Sequence, residues 1–174
     1  MKKLDNITLI GMPASGKSTI GVLLAKRLGF SFVDVDILIQ EKEQRLLKDI
    51  IKDEGLAGFL DLENRVNADL DVVKSVIAPG GSVIYGEEAM EHLKFISTLV
   101  YLKISYENLK ERLENLTDRG VALKDGMTLM DLYEERIPYY EKYADITIDE
   151  TDVEAGVIVD ELRSILEEQF GLTT

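Results

Sequence analysis

Residues Gly11-Met12-Pro13-Ala14-Ser15-Gly16-Lys17-Ser18 follow the apolar, β-branched run Ile7-Thr8-Leu9-Ile10 and precede Thr19 to Leu28, whose apolar residues recur at helical spacing. The pattern G-x-x-x-x-G-K-[ST], set between a strand and a helix, is that of a phosphate-binding loop. Its glycines allow a tight turn in which successive N–H groups point inward at phosphate oxygens, and the helix that follows adds the positive end of its dipole. Lys17 is placed to reach the β- and γ-phosphates, and Ser18 to give its hydroxyl to a magnesium ion. An ordinary strand-to-helix turn would need none of these four specified residues.

Such a loop belongs to an α/β chain, and the rest of the sequence alternates accordingly. Strands are expected at 5–10, 31–34, 75–78, 98–103 and 145–149. Helices are expected at 17–28, 36–52, 56–74, 87–95, 106–116, 128–143 and 152–169. This alternation predicts a parallel sheet covered by helices on both faces, a three-layer αβα sandwich. The 174 residues fit one domain, with no internal repeat and no proline-rich linker.

Charge and composition narrow the partners. A formal net charge of −13 repels nucleic-acid phosphates and anionic membranes, and no basic cluster offsets it. No stretch is long and apolar enough to span a membrane, and Lys2-Lys3-Leu4-Asp5-Asn6 does not open a signal peptide. The absence of cysteine rules out disulfides and thiol chemistry. A cytoplasmic monomer acting on a small molecule is the expectation. His92, the single histidine, falls on an expected helix and reads as structural or solvated.

Ligands of parallel sheets collect at the carboxyl ends of the strands, and three groups of residues fall there together. Gly11 to Ser18 follow the first strand, Asp34 and Asp36 the second, and Pro79-Gly80-Gly81-Ser82 the third. Of the two carboxylates, one can hold the waters of a magnesium ion opposite Ser18, and the other can accept a hydrogen bond from a hydroxyl awaiting phosphorylation. Capping of the following helix is the plain alternative. Residues 117–127 break the helical pattern with two glycines and carry Arg119, which suits a lid closing over phosphates; an exposed connector is the competing reading.

Five blocks in this order make the chain resemble the shikimate kinase family over about residues 5–150. They are Gly11 to Gly21, Phe32-Val33-Asp34-Val35-Asp36, Gly55 with Phe59 and Glu63, Gly80-Gly81 with Arg119, and Leu132-Tyr133-Glu134-Glu135-Arg136-Ile137-Pro138-Tyr139-Tyr140 followed by Ala144-Asp145. The resemblance implies a nucleoside monophosphate kinase-like fold with a five-stranded parallel core. It also implies ATP and magnesium, and phosphorylation of shikimate to shikimate 3-phosphate in aromatic amino-acid biosynthesis.

By the same resemblance, ATP falls to Gly11, Ala14, Ser15, Gly16, Lys17, Ser18, Thr19, Arg112 and Arg119, with Arg112 along the adenine. The metal falls to Ser18 and Asp34, catalysis to Lys17, Asp36 and Arg119, and the substrate to Asp36, Gly80, Gly81 and Arg136. The segment 36–74 would be the acceptor-binding region and 117–127 the lid. A surface ion pair with Glu134 or Glu135 is the competing reading of Arg136.

The chain departs from the family pattern in four places. Leu60 stands where the family carries an arginine that pairs with the acceptor carboxylate, Ser82 replaces a third glycine, and Ala14 replaces a loop glycine. Arg119-Gly120-Val121-Ala122 replaces the lid's usual R-P-L-L. Loss of one partner of a buried charge pair costs several kcal/mol, so the acceptor pocket is expected to be altered. Two further functions therefore stand beside shikimate phosphorylation: a kinase of another small alcohol such as a sugar acid or hydroxy amino acid, and a nucleotide-binding module without catalysis.

Overall fold

The computed structural model describes residues 5–115 and 124–171. Five strands, β1 (Asn6–Ile10), β2 (Ser31–Asp34), β3 (Ser75–Ala78), β4 (Thr98–Lys103) and β5 (Ile146–Asp149), pair in parallel in the order β2-β3-β1-β4-β5. The helices among the described residues are α1 (Lys17–Leu28), α2 (Val35–Glu43), α3 (Leu47–Ala68), α4 (Glu87–Ile96), α5 (Tyr106–Glu114), α6 (Leu129–Tyr143) and α7 (Ala155–Phe170). A 3₁₀ turn, Val83–Tyr85, precedes α4.

Successive side chains of a strand point to opposite faces, and the core divides accordingly. Ile7 and Leu9 of β1, with Val100 and Leu102 of β4, pack with Ile20 and Leu24 of α1 and Leu162 and Leu166 of α7. Ile10, Leu99 and Tyr101 face the other way, onto a cluster with Ile39 of α2, Phe59 of α3, Leu93 of α4 and Tyr140 of α6. Both faces are apolar because both are covered, which is why β1 reads as a continuous apolar run. Asn6, 1% exposed, ties the amino end of the sheet together: its Nδ2 donates to Val72 O at 2.9 Å and Ile96 O at 3.0 Å, and its Oδ1 accepts from Ser75 N at 2.9 Å.

The expected strands are all present, but several helix limits differ. The break expected at 53–55 lies instead at 44–46, where Gln44 takes a left-handed φ of 52° and the Gln40 side chain accepts the Leu47 N–H at 3.0 Å. Gly55, at φ 73° and ψ 176°, kinks α3 without ending it, and α3 stops at Ala68 rather than 74. Asp145 stays outside β5 because its Oδ2 accepts the Leu99 N–H at 2.9 Å. The last helix starts at Ala155 rather than 152, after Asp152 at φ 58°. His92 is structural, its Nε2 lying 2.6 Å from Leu70 O.

Candidate active site

The carboxyl ends of the neighbouring parallel strands β2, β3 and β1 lie side by side, and the phosphate loop follows β1. Gly11 (φ 154°) and Gly16 (φ 84°, the N-cap of α1) hold backbone angles that side chains avoid, and a Cβ at Gly11 would meet Leu102 O at 2.8 Å. Ala14 also takes a left-handed φ, 63°, where the family has glycine; the strain amounts to about 1–2 kcal/mol. Lys17, 9% exposed, donates from Nζ to Gly11 O at 2.9 Å and Met12 O at 2.8 Å. Its ammonium thus already sits at the mouth of the loop. Ser15 Oγ is buried with no hydrogen-bond partner, and Thr19 is exposed on the first turn of α1.

Ser18 Oγ donates to Asp34 Oδ2 at 3.2 Å, while Asp34 Oδ1 accepts the Ile37 N–H at 3.2 Å. Asp34 therefore caps α2 with one oxygen and faces Ser18 with the other, so both readings of it hold at once. No cluster of three or more His, Cys, Asp or Glu suited to a metal occurs among the described residues. A hydroxyl and one carboxylate nevertheless fit magnesium, a hard cation that keeps waters and takes phosphate oxygens for its remaining positions.

Asp36 lies on the first turn of α2 with its Oδ1 beside Gly80: a Cβ at Gly80 would fall 3.1 Å from it and 2.5 Å from Glu63 Oε2. Gly81 is wedged between the two halves of the site. A Cβ there would meet Pro13 Cδ of the phosphate loop at 2.9 Å and Arg136 Nη1 at 3.0 Å. The carbonyls of this glycine pair serve the fold, Gly80 O accepting from Val83 N at 3.2 Å and Gly81 O from Tyr140 OH at 2.6 Å. Backbone contacts to a ligand from these residues fall to their N–H groups.

Arg136 is 3% exposed, so it does not form the surface ion pair considered from sequence. Its Nε donates to Tyr85 OH at 3.4 Å and its guanidinium carbon lies 5.4 Å from the Tyr85 ring centre. No carboxylate of the described residues pairs with it within 4.0 Å. Adjacent Glu135 instead accepts from Tyr85 OH at 2.6 Å and faces Lys124 Nζ at 3.6 Å. A cavity of about 130 Å³ opens beside this group, with Leu56, Leu60, Met127 and Leu132 as apolar walls and Tyr85, Lys124, Glu135 and Arg136 as the polar end. Leu60 is half-buried and packs against the core, so the position carries no charge into the cavity.

Glu63, on α3, is 1% exposed; its Oε1 accepts from Ser82 Oγ at 2.6 Å, and Oε2 has no hydrogen-bond partner. Burial pushes its carboxyl up to about 7, opposed by the Ser82 hydrogen bond, and Asp36 nearby raises it further. Ser82, a departure in the sequence, thus replaces part of the solvation that Glu63 has lost. On the other side of the loop, Arg112 Nη1 donates to Ala14 O at 3.2 Å and pairs with Glu150 Oε1 at 3.3 Å. Arg112 is therefore tied to the phosphate loop itself. Glu150 is also pushed up to about 7 by burial, against the pull of Arg112.

Arg119 and most of the expected lid, 117–123, lie outside the described residues; 124–127 form a turn in which Met127 N–H donates to Lys124 O at 3.0 Å. Sequence reasoning gave no site role to Glu63, Tyr85, Lys124 or Glu150, and it named Glu135 only as a possible ion-pair partner of Arg136. Glu150 follows β5, so the rule that ligands gather at strand ends could have found it, whereas Tyr85 sits on a 3₁₀ turn too short to leave a periodic signal.

Known proteins share this fold and resemble the chain over most of its length. A shikimate kinase from Persephonella marina is 35% identical over 160 residues, covering 91% of this chain and 97% of that one. One from Rippkaea orientalis is 40% identical over 146 residues, 82% of this chain and 77% of its own. The structure of shikimate kinase from Acinetobacter baumannii in complex with shikimate superposes with a TM-score of 0.88 at 30% identity, over 95% of this chain and 94% of that one. The shikimate kinase family model matches residues 13–167, and the chain belongs to that family of ATP-dependent small-molecule kinases.

Proposed function

We propose that the chain transfers the γ-phosphoryl group of ATP to a hydroxyl of shikimate, forming shikimate 3-phosphate and ADP. The observation that carries this reading is Gly81, which brings Pro13 of the phosphate loop and the guanidinium of Arg136 to its two sides. A phosphate donor and a carboxylate-bearing acceptor can therefore lie next to each other. A buried guanidinium with no carboxylate partner is costly unless an anion completes it, and the acceptor's carboxylate does so.

In the reaction the loop amides and Lys17 hold the β- and γ-phosphates, Lys17 exchanging its loop carbonyls for phosphate oxygens. Asp36 accepts a hydrogen bond from the acceptor hydroxyl and orients its oxygen toward the γ-phosphorus. The oxygen–phosphorus bond forms as the bond to the leaving ADP oxygen breaks, and the hydroxyl proton passes toward Asp36. Ser18 and Asp34 are the residues that would hold magnesium, which neutralises charge on the phosphate oxygens. Arg112 stays with the loop and Glu150 on the nucleotide side, and Arg119 is assigned to the transferring phosphoryl group as the lid arginine.

Leu60 supports a second reading in which the acceptor is another small hydroxylated acid, since the wall it forms is apolar. The test is ADP release with shikimate, gluconate, homoserine or no acceptor. Saturable release with shikimate, reduced about 10²–10³-fold in kcat by Lys17→Ala or Asp36→Ala, is the expected outcome. Release with another alcohol alone moves the assignment to that acceptor. No acceptor-dependent release from the parent leaves a nucleotide-binding module.

A further inference from the structure

The polar end of the cavity is one negative charge short. Arg136 and Lys124 both line it, and Glu135 is the carboxylate among its lining residues. That carboxylate is committed elsewhere: Oε1 accepts from Tyr85 OH at 2.6 Å and lies 3.6 Å from Lys124 Nζ, leaving the Arg136 guanidinium without a carboxylate within 4.0 Å among the described residues. The opposite wall, on α3, is Leu56 and Leu60 and brings no charge.

The backbone at Lys124 is fixed by a turn, while its side chain is exposed and reaches Glu135. That turn is closed by Met127 N–H on Lys124 O at 3.0 Å, with Gly126 at φ 77°. The turn runs directly into the Thr128 capping box of α6, where Thr128 Oγ1 accepts the Asp131 N–H and Asp131 accepts the Thr128 N–H. The backbone of Lys124 is thus coupled to the helix that carries Arg136, and its ammonium lies 6.0 Å from the centre of the Tyr85 ring over which Arg136 also stacks.

We propose that Lys124 is a specificity-determining residue of the acceptor site, supplying together with Arg136 the second positive contact to the acceptor's carboxylate. The acceptor carboxylate lies between the guanidinium and the ammonium, with the carbon skeleton against the leucine wall. This inference rests on the acceptor reading above and adds the residue that makes up for an uncharged position 60.

Steady-state kinetics with shikimate and ATP on the parent, K124A, K124R and the double variant K124A/L60R test it. K124A is expected to raise KM for shikimate about three- to tenfold, as one half-hydrated charge does, with kcat within about twofold and KM for ATP unchanged. K124R should stay within about twofold of the parent, and L60R should recover acceptor affinity in the K124A background by returning a cation from α3. Unchanged KM for shikimate in K124A, with an active parent, overturns the role of Lys124 alone; so does an equal rise in KM for ATP. Failure of the parent to turn over shikimate overturns the acceptor reading and the inference with it. K124R keeps the comparison decisive if the double variant does not fold.

Discussion

Glu63 and Arg136 are two buried groups of opposite charge that do not pair, set on either side of Gly80 and Gly81. Burial costs each its hydration and disfavours its charged form. For Glu63 the consequence can be measured. Its carboxyl, ordinarily near 4.5, is held at about 7 by burial, so between those values the folded chain keeps a proton that the unfolded chain has released. Stability from this group is present below 4.5, declines as pH rises to 7, and declines no further above it. Glu63→Gln keeps an acceptor for Ser82 and removes the titration. At pH 8 it should be more stable than the parent by on the order of 2–3 kcal/mol, and near pH 4.5 the two should match. Urea midpoints at both values check this. Glu150 acts with the same sign, so the variant loses only part of the slope. The Ser18 to Asp34 contact shows how much local spacing conveys: a capping carboxylate two residues before Asp36, after a strand paired next to β3, has one oxygen turned toward the loop. Lys124 offers no comparable signal, because its partner Glu135 lies on a helix beyond an intervening turn and cap.

At the level of the elements, α3 governs the acceptor side, and its shape departs most from expectation. Its two halves, 47–54 and 56–68, are joined by Gly55 at φ 73° and ψ 176°, and the second half carries Phe59, Leu60 and Glu63. A Cβ at Gly55 would meet nothing within 4 Å, so the whole penalty of a side chain there is conformational. Gly55→Ala is expected to lose about 1–3 kcal/mol in chemical unfolding and to raise KM for the acceptor while leaving nucleotide binding intact. The helix limits were misread because apolar periodicity continues through 44–46, and what breaks it is not local. Arg45 turns out to pair with Glu43 at 3.1 Å, Asp53 at 3.7 Å and with Glu54, and the Gln40 side chain caps the next helix. Those partners lie up to nine residues away and come together only once α2 and α3 pack.

Over the whole molecule, the phosphate loop is built around β1, the central strand, with its carbonyls and glycines braced by β4 and by the Arg112 to Glu150 pair from beyond β4 and β5. Nucleotide binding should therefore stabilise the entire sheet rather than one loop. At free ATP or ADP one hundred times the dissociation constant, with magnesium, linkage gives about 2.7 kcal/mol, a rise of roughly 5–10 °C in Tm for a chain of this size. Differential scanning fluorimetry measures it, and Lys17→Ala should remove most of the shift without an acceptor present. Gly11 to Ser18, the five strands and the order of the family blocks were all open to reading from residue order, because a nucleotide loop and a buried strand are local patterns of turn angle and periodicity. Which charges end up unpaired was not. The burial of Arg136, the isolation of Glu63 and the meeting of Lys124 with Tyr85 and Glu135 depend on helices separated by dozens of residues coming together, and only packing sets the hydration that each charge loses.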